Sequence, residues 1–140
     1  MGVFTGKLDV QTRGEMDILD ITDRLEEIVR GSGIKEGVAT VFVSGSTAAI
    51  TTIEFEPGLE SDMRRALSTL FPKELEYEHH KRWGDYNGHS HVRASFLGPS
   101  LTIPVSGSSL TLGRWQQVVL IELDVSSRRR SLVVKVLGDR

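Results

Sequence analysis

The sequence predicts an α+β domain, with a largely antiparallel sheet and two or three helices laid on it. Three observations carry this. From Ser100 to Leu137 the chain is a series of short alternating or β-branched runs separated by polar turns, which reads as strands. Two stretches, Ile21–Arg30 and Leu59–Leu70, repeat apolar residues at helical spacing. The 140 residues contain no repeat, linker or low-complexity tract, so a single domain spans residues 1–140.

Taken in order, Val3–Thr12 mixes Val3, Phe4, Leu8 and Val10 with polar residues and reads as a strand, broken at Gly14. Met16–Leu19 is a short second strand. Ile21, Leu25, Ile28 and Val29 then form one apolar stripe of a helix, with Asp20 as its cap, Arg30 at its far end and Gly31 as the closing residue. Val38–Val43 is apolar and β-branched, which predicts a central strand buried on both faces. Ser44-Gly45-Ser46 interrupts it, and Ala48–Phe55 is a further strand ending at Pro57-Gly58. Met63, Ala66, Leu67 and Leu70 mark the second helix, opened by Glu60 or Ser61 and stopped at Pro72.

Gly88–Leu97 reads as a short helix, with Asn87 as cap and Gly98-Pro99 as stop. On a strand His89 and His91 would share a face; on a helix they point roughly 200° apart. The remainder is β: Ser100–Val105, a turn at Ser106–Ser108, Leu110–Leu112, a long strand Trp115–Val125, a polar hairpin turn Ser126–Arg130 and a closing strand Ser131–Leu137.

Composition narrows the function classes. Apolar residues are 39% and charged residues 26%, with a formal net charge of −2, so there is no footprint for nucleic acid or membrane. The absence of cysteine excludes disulfides, thiolate metal sites and a cysteine nucleophile. The first residues lack a signal-peptide pattern and no apolar run reaches the roughly 20 residues of a membrane span, so the expectation is a soluble, cytoplasmic protein.

All four histidines fall between His79 and His91, in a window that also holds both tyrosines and Trp83. Imidazoles titrate near neutral pH and are the commonest metal ligands. His79, His80, His89 and His91, with Glu54, Glu56, Asp62, Glu78 or Asp85, are candidates for acid–base or metal chemistry, although their spacing matches no metal motif. The plainer reading is a polar surface loop. Ser44-Gly45-Ser46-Thr47 joins two apolar strands, and its exposed amides would hold an anion; otherwise it is a bend. Trp115-Gln116-Gln117 offers an aromatic face with amides for a flat ring, or is a core tryptophan at a strand edge. Arg128-Arg129-Arg130 has guanidinium forks suited to phosphate, yet a solvated turn is the simpler reading.

Several of these stretches together resemble the YjbQ family of secondary thiamine-phosphate synthases. They are Thr47-Ala48-Ala49-Ile50 with Glu54, the Asp62 helix running to Pro72, Tyr77-Glu78-His79, and Asn87-Gly88-His89-Ser90-His91. They continue with Leu97-Gly98-Pro99-Ser100 leading to Pro104, Leu112-Gly113-Arg114-Trp115-Gln116, and Glu122-Leu123-Asp124 before basic residues. The resemblance implies a mixed sheet curled into a half-barrel and a homotrimer. It implies an enzyme joining an aminopyrimidine diphosphate to a thiazole phosphate with release of pyrophosphate. Its matching positions make His91, His79, Glu54 and Asp62 the catalytic candidates, with His79 and His91 as ligands for a divalent metal, Mg²⁺ or Zn²⁺. Asn87, His89, Trp115, Gln116, Ser46 and Thr47 become candidates for contacting a phosphorylated small-molecule substrate. One departure stands out: Gly45-Ser46-Thr47-Ala48-Ala49 lies where many members carry His-Thr-Thr-Ala-Ala, and His89 is the residue that would compensate. The alternative is a non-catalytic module binding a metal or a phosphorylated small molecule.

Overall fold

The computed structural model describes all 140 residues. In chain order the elements are β1 (Gly2–Gln11), β2 (Ile18–Asp20), α1 (Thr22–Ser32), β3 (Glu36–Val43), β4 (Ala48–Ile53), α2 (Pro57–Leu70), α3 (Glu78–Trp83), α4 (Gly88–Leu97), β5 (Ser100–Ser106), β6 (Ser109–Leu110), β7 (Gln117–Glu122) and β8 (Arg129–Asp139). They build the expected α+β fold. Five strands in the order β1-β8-β3-β5-β6 form a half-barrel sheet, and β2-β7-β4 form a smaller one. Every pairing is antiparallel.

Burial explains the arrangement. The larger core lies inside the half-barrel, where Leu25 and Val29 of α1 meet Val41, Val134 and Val136 of the large sheet and Leu120 of the small one. A second core packs Leu67 of α2 and Ala94 of α4 on Ala49, Val119 and Ile121 of the small sheet. The small sheet is therefore covered on both faces, and β7 reads as an unbroken apolar run for that reason. No helix is long and apolar enough to cross a membrane.

Four local expectations are corrected. β3 is central but not buried on both faces: Ala39, Val41 and Val43 point inward, while Val38 and Phe42 are exposed on the outer face. The predicted hairpin at Ser126–Arg130 is instead a crossing between sheets, because β7 and β8 do not pair. The long strand starting at Trp115 begins only at Gln117; Gln116 N–H donates to the Gly113 carbonyl and holds Trp115 in a turn, exposed beneath the Arg114 guanidinium. At α2 the cap is Glu56, whose carboxylate accepts from the Gly58 and Leu59 amides, with Pro57 in the first turn.

The end of α1 is also displaced. Gly31 lies inside the helix, and Gly33, with φ of 74°, closes it. Asp20 stands one residue before the N-cap, yet its carboxylate accepts from the Thr22 amide at 3.0 Å. Gly31→Ala should raise stability by about 0.5–1 kcal/mol, since alanine suits a helix interior and an added Cβ meets no atom within 4 Å. Gly33→Ala should lower it by about 1–2 kcal/mol through the left-handed backbone. Urea unfolding of both variants checks this; a loss of stability in Gly31→Ala would return the helix end to Gly31.

Candidate functional site

Two sheets meet where β7 ends and β8 begins, and the junction is built on a buried ion pair. Glu122 is fully buried and Arg130 nearly so. Arg130 Nε donates to Glu122 Oε1 at 2.8 Å, and its Nη2 donates to Oε2. The same Nη2 reaches the Thr47 carbonyl at 3.1 Å and the Thr47 hydroxyl at 2.8 Å. Thr12 Oγ1 donates to Glu122 Oε1 at 2.8 Å, and the Asp124 amide to Oε2 at 3.1 Å. This pairing satisfies the buried charges. Arg130 was expected in a solvated turn. It points inward because it is the first inner-face residue of β8, in step with Leu132, Val134 and Val136.

Above this pair opens a cleft of about 430 Å³. Its walls are the Gly45–Thr47 strap between β3 and β4, Asn87 and His91 on α4, Asp124, and Arg128, Arg129 and Arg130. Asp124 is buried and accepts from the Val125 amide at 2.8 Å, Asn87 Nδ2 at 3.3 Å and Arg128 Nε at 3.0 Å. Burial alone would raise its pKa, but those hydrogen bonds and the Arg128 charge together hold it below the usual carboxylate range. Asn87 stands at the cap position as expected but does not cap; its amide serves Asp124. Of the three arginines that line the cleft, Arg128 bonds Asp124, Arg130 is held by Glu122, and Arg129 lies 3.9 Å from the exposed carboxylate of Asp9.

His91 extends from α4 into this cleft, with its ring centroid 4.4 Å from that of His79 on α3. Burial, and then the nearby His79, push the His91 pKa down, so its ring is neutral at neutral pH. His79 Nδ1 lies 3.2 Å from an Asp85 oxygen, outside hydrogen-bond geometry. His79 and His91 would offer two imidazole nitrogens to a metal, but no three His, Asp, Glu or Cys side chains form a metal-holding group. The pair falls short of the three protein ligands a catalytic zinc takes.

His89 faces the other way. It is fully buried, and its Nε2 donates to Glu15 Oε1 at 2.7 Å. Arg93 Nη1 reaches the same oxygen at 3.0 Å and Lys73 Nζ reaches Oε2 at 3.2 Å. Glu15 and Arg93 line a separate cleft of about 520 Å³. His89 thus lines neither the strap nor the cationic cleft, and does not replace a histidine at position 45.

The remaining predicted residues sit elsewhere. Ser46, Thr47, Asn87, His79 and His91 come together at one end of the small sheet. Glu54, Trp115 and Gln116 gather at the opposite end, where Gln116 Nε2 bonds Thr52 Oγ1 at 3.2 Å and Gln117 Oε1 accepts from the Phe55 amide at 2.9 Å. By strand rise the two ends of β4 and its flanks are roughly 20 Å apart. Asp62 is on the exposed side of α2, paired with Arg65 at 3.0 Å. For Arg128 and Arg130 the sequence offers phosphate binding but favours a solvated turn, and it gives Asp124 no site role. Their signal was there: acidic residues at Glu122 and Asp124 each stand close before an arginine, and Arg130 keeps the inward alternation of β8.

Two predictions follow from this electrostatics. Removing the Glu122 carboxylate as Glu122→Ala leaves Arg130 buried without its partner, and should cost about 3–5 kcal/mol in chemical unfolding. For pH, His89 and His91 both have folded pKa values below their ordinary one, mainly through burial. Below about 6.5 the unfolded chain takes up protons that the folded chain refuses. Stability is therefore fully present above that pH and falls on acidification, and Asp124 adds a further loss in the carboxylate range, having the same sign. The melting temperature should be level above about pH 7 and drop below about pH 6, less steeply in His89→Gln. A melting temperature that rises on acidification would reverse the assignment of neutral, buried imidazoles.

Comparison with known proteins agrees with this architecture. A family model described as UPF0047 protein YjbQ-like matches residues 6–139. A UPF0047 protein of Methanothermobacter thermautotrophicus is 38% identical over 138 residues, spanning 99% of this chain and 94% of that one. One from Mycobacterium tuberculosis is 36% identical over 129 residues, or 91% and 93% of the two chains. Among solved structures, a YbjQ-like protein of unknown function from Sulfolobus solfataricus superposes with a TM-score of 0.93 at 36% identity, covering 99% of both chains. A YjbQ/UPF0047 family protein from Clostridium acetobutylicum gives 0.85 at 32% identity, covering 94% and 98%. None of these relatives carries an activity in its name; the chain belongs to the YjbQ/UPF0047 family.

Proposed function

We propose that the cationic cleft binds the phosphate or diphosphate group of a small molecule, and that the chain is a transferase of the thiamine-phosphate synthase type. The observation that carries this is the convergence of Arg128, Arg129, Arg130 and a neutral His91 on the open backbone of Gly45–Thr47. Guanidinium forks match phosphate oxygens, and strap amides add donors without charge of their own. In the reaction, the bond between the aminopyrimidine methylene carbon and the diphosphate oxygen breaks. The leaving diphosphate keeps the electron pair, and the thiazole nitrogen lone pair forms the new carbon–nitrogen bond. What the protein must supply is stabilisation of the negative charge that develops on the leaving group. Arg128 and Arg129 supply it from the rim, and His91 donates a hydrogen bond from its neutral ring. Arg130 is held by Glu122 and acts chiefly by fixing Thr47. A Mg²⁺ taking part would be held by the ligand's own diphosphate oxygens, since both Asp124 oxygens are taken by Asn87, Val125, Thr47 and Arg128.

The second reading, a binding module without turnover, is favoured by one observation: Glu54 and Asp62, the carboxylates the resemblance implies, lie outside the cleft. The homotrimer belongs to the same proposal. Assembly would cover the apolar outer face of the half-barrel, where Val3, Val38 and Leu137 pair across β1, β8 and β3. It would also let a neighbouring copy bring Trp115 and Gln116 to the cleft. Light scattering reads the mass.

The test is a direct assay with the aminopyrimidine diphosphate and thiazole phosphate, with and without chelator, in parallel with calorimetry on diphosphate alone. Product should form in the unaltered protein and fall by about a hundredfold or more in Arg128→Ala and in His91→Ala. Diphosphate binding lost in Arg128→Ala, with no product from the unaltered protein, would establish the binding module. No binding and no product from a folded chain would end both readings.

A further inference from the structure

The 520 Å³ cleft behind His89 shares no residue with the cationic cleft, and its wall comes from three places. The β1–β2 connection supplies Arg13–Asp17, α2 supplies Arg64 and Ser68, and Lys73 follows α2. Arg93 closes it from α4. It stands four residues after His89, so the two side chains leave one stripe of the helix. Two of the carboxylates here are already engaged within the chain. Glu15 Oε1 accepts from His89 Nε2 and Arg93 Nη1, and its Oε2 from Lys73 Nζ. Asp17 is buried and accepts from the Arg13 amide at 3.0 Å and from Arg13 Nη2 at 3.1 Å.

The guanidiniums are less fully used. Arg64 Nε donates to the Met16 carbonyl at 2.9 Å, but its Nη2 stands 3.6 Å from Glu60, beyond hydrogen-bond reach. Arg93 is only 1% exposed. Its Nε donates to the Phe71 carbonyl at 3.0 Å and its Nη1 to Glu15, while Nη2 makes no hydrogen bond within the chain. A buried cation with a donor to spare calls for a partner from the cleft it lines. The charge of that partner follows from the wall, where Arg13, Arg64, Lys73 and Arg93 face Glu15, Asp17 and Glu74, an excess of one positive charge. A carboxylate matches that excess and fits a guanidinium fork. A phosphate monoester, at roughly −1.5 to −2 near neutral pH, exceeds it. Met16 is the one hydrophobic residue in the wall, so an apolar body would bury little surface here. The exposed Ser68 hydroxyl and Glu74 carboxylate have no partner in the chain and suit a ligand with hydroxyls.

We propose that this cleft is a second ligand site, which takes the carboxylate of a small hydroxy acid on Arg93 and Arg64, with the ligand's hydroxyls toward Ser68 and Glu74. It does not rest on the phosphate reading of the cationic cleft and uses none of its residues. Ser68 gives a way to disturb the site without touching the core, because it is exposed on α2. Thr69 beside it is equally exposed and lies outside the wall.

Titration of glycerate into the ¹⁵N-labelled chain, read by backbone amide shifts, tests it, with glycerol and inorganic phosphate as parallel probes. Glycerate should produce saturable shifts in Gly14–Asp17, and glycerol none. Phosphate should act on those amides at least about tenfold more weakly than glycerate. Ser68→Glu places a like charge in the cleft and should weaken glycerate by about tenfold or more, while Thr69→Glu, with the same change in net charge, should stay within about twofold. Arg93→Lys keeps the charge but loses the fork and should weaken glycerate by about tenfold. Absence of glycerate shifts in Gly14–Asp17, or shifts that Ser68→Glu leaves unchanged, would overturn the site. Phosphate as tight as glycerate at these amides would overturn the carboxylate assignment. Phosphate shifts confined to Gly45–Thr47, with glycerate silent, would sink this proposal and leave the cationic cleft standing; the reverse pattern would uphold it and end the phosphate reading. Should Arg93→Lys not fold, the two α2 variants decide.

Discussion

The Glu122–Arg130 pair is the interaction on which the rest of the molecule depends. Glu122 ends the small sheet and Arg130 begins the last strand of the large one, so the pair joins two sheets that share no backbone ladder. Thr12 from the end of β1 and Thr47 from the strap bind to the same two side chains. Four segments distant in sequence are thereby fixed around one charge pair with nearly every polar atom satisfied. An ion pair of this kind adds little net stability compared with apolar residues of similar shape, because desolvation offsets the attraction. What it fixes is position: two apolar layers could slide, but a bidentate guanidinium has one geometry.

The cleft's character follows from that geometry. Because Glu122 is satisfied by Arg130, and Asp124 by Asn87 and Arg128, the carboxylates at the junction are spent on internal contacts. Arg129 meets weaker competition; its carboxylate neighbour, on Asp9, is 3.9 Å away and exposed. α4 then divides the histidines. Its pitch sends His91 to the cleft and His89 to Glu15 on the far side, so one helix serves two polar environments. Burial keeps both rings neutral, but His89 is locked by its carboxylate partner while the His91 ring forms no hydrogen bond within the chain.

Where periodicity carried the signal, the fold was legible. α4 occupies the predicted Gly88–Leu97, and the alternation of Ser100–Val105 gives β5. The errors lie where a tertiary contact overrides local pattern. Gly31 looked like a helix end because it is the first glycine after the stripe, yet Ser32 still packs inside and Gly33 makes the turn. Arg128–Arg130 looked solvated because three adjacent charges usually are; only pairing with Glu122 and Asp124, which local sequence does not specify, brings two of them inward. The His91 end of the site was visible as a cluster of imidazoles. The other half of the cleft was not, since Asp124 and the arginines come from a connection read as a hairpin.

Position 45 shows how tightly these features are linked. Gly45 has φ of 127°, and a Cβ built on it would stand 2.8 Å from Arg130 Nη1. The family resemblance of the Ser46-Thr47-Ala48-Ala49 stretch implies a histidine at that place. Here such a side chain would meet both a backbone conformation that L residues rarely adopt and the guanidinium that holds Glu122. A histidine at 45 therefore requires a different strap path or a displaced Arg130, and either change would alter the cleft floor. The glycine is what allows the strap to lie close to the Arg130 guanidinium of the ion pair. With glycine at 45, Arg130 keeps its place on Glu122, and the cleft above is lined by guanidiniums and one imidazole, that of His91.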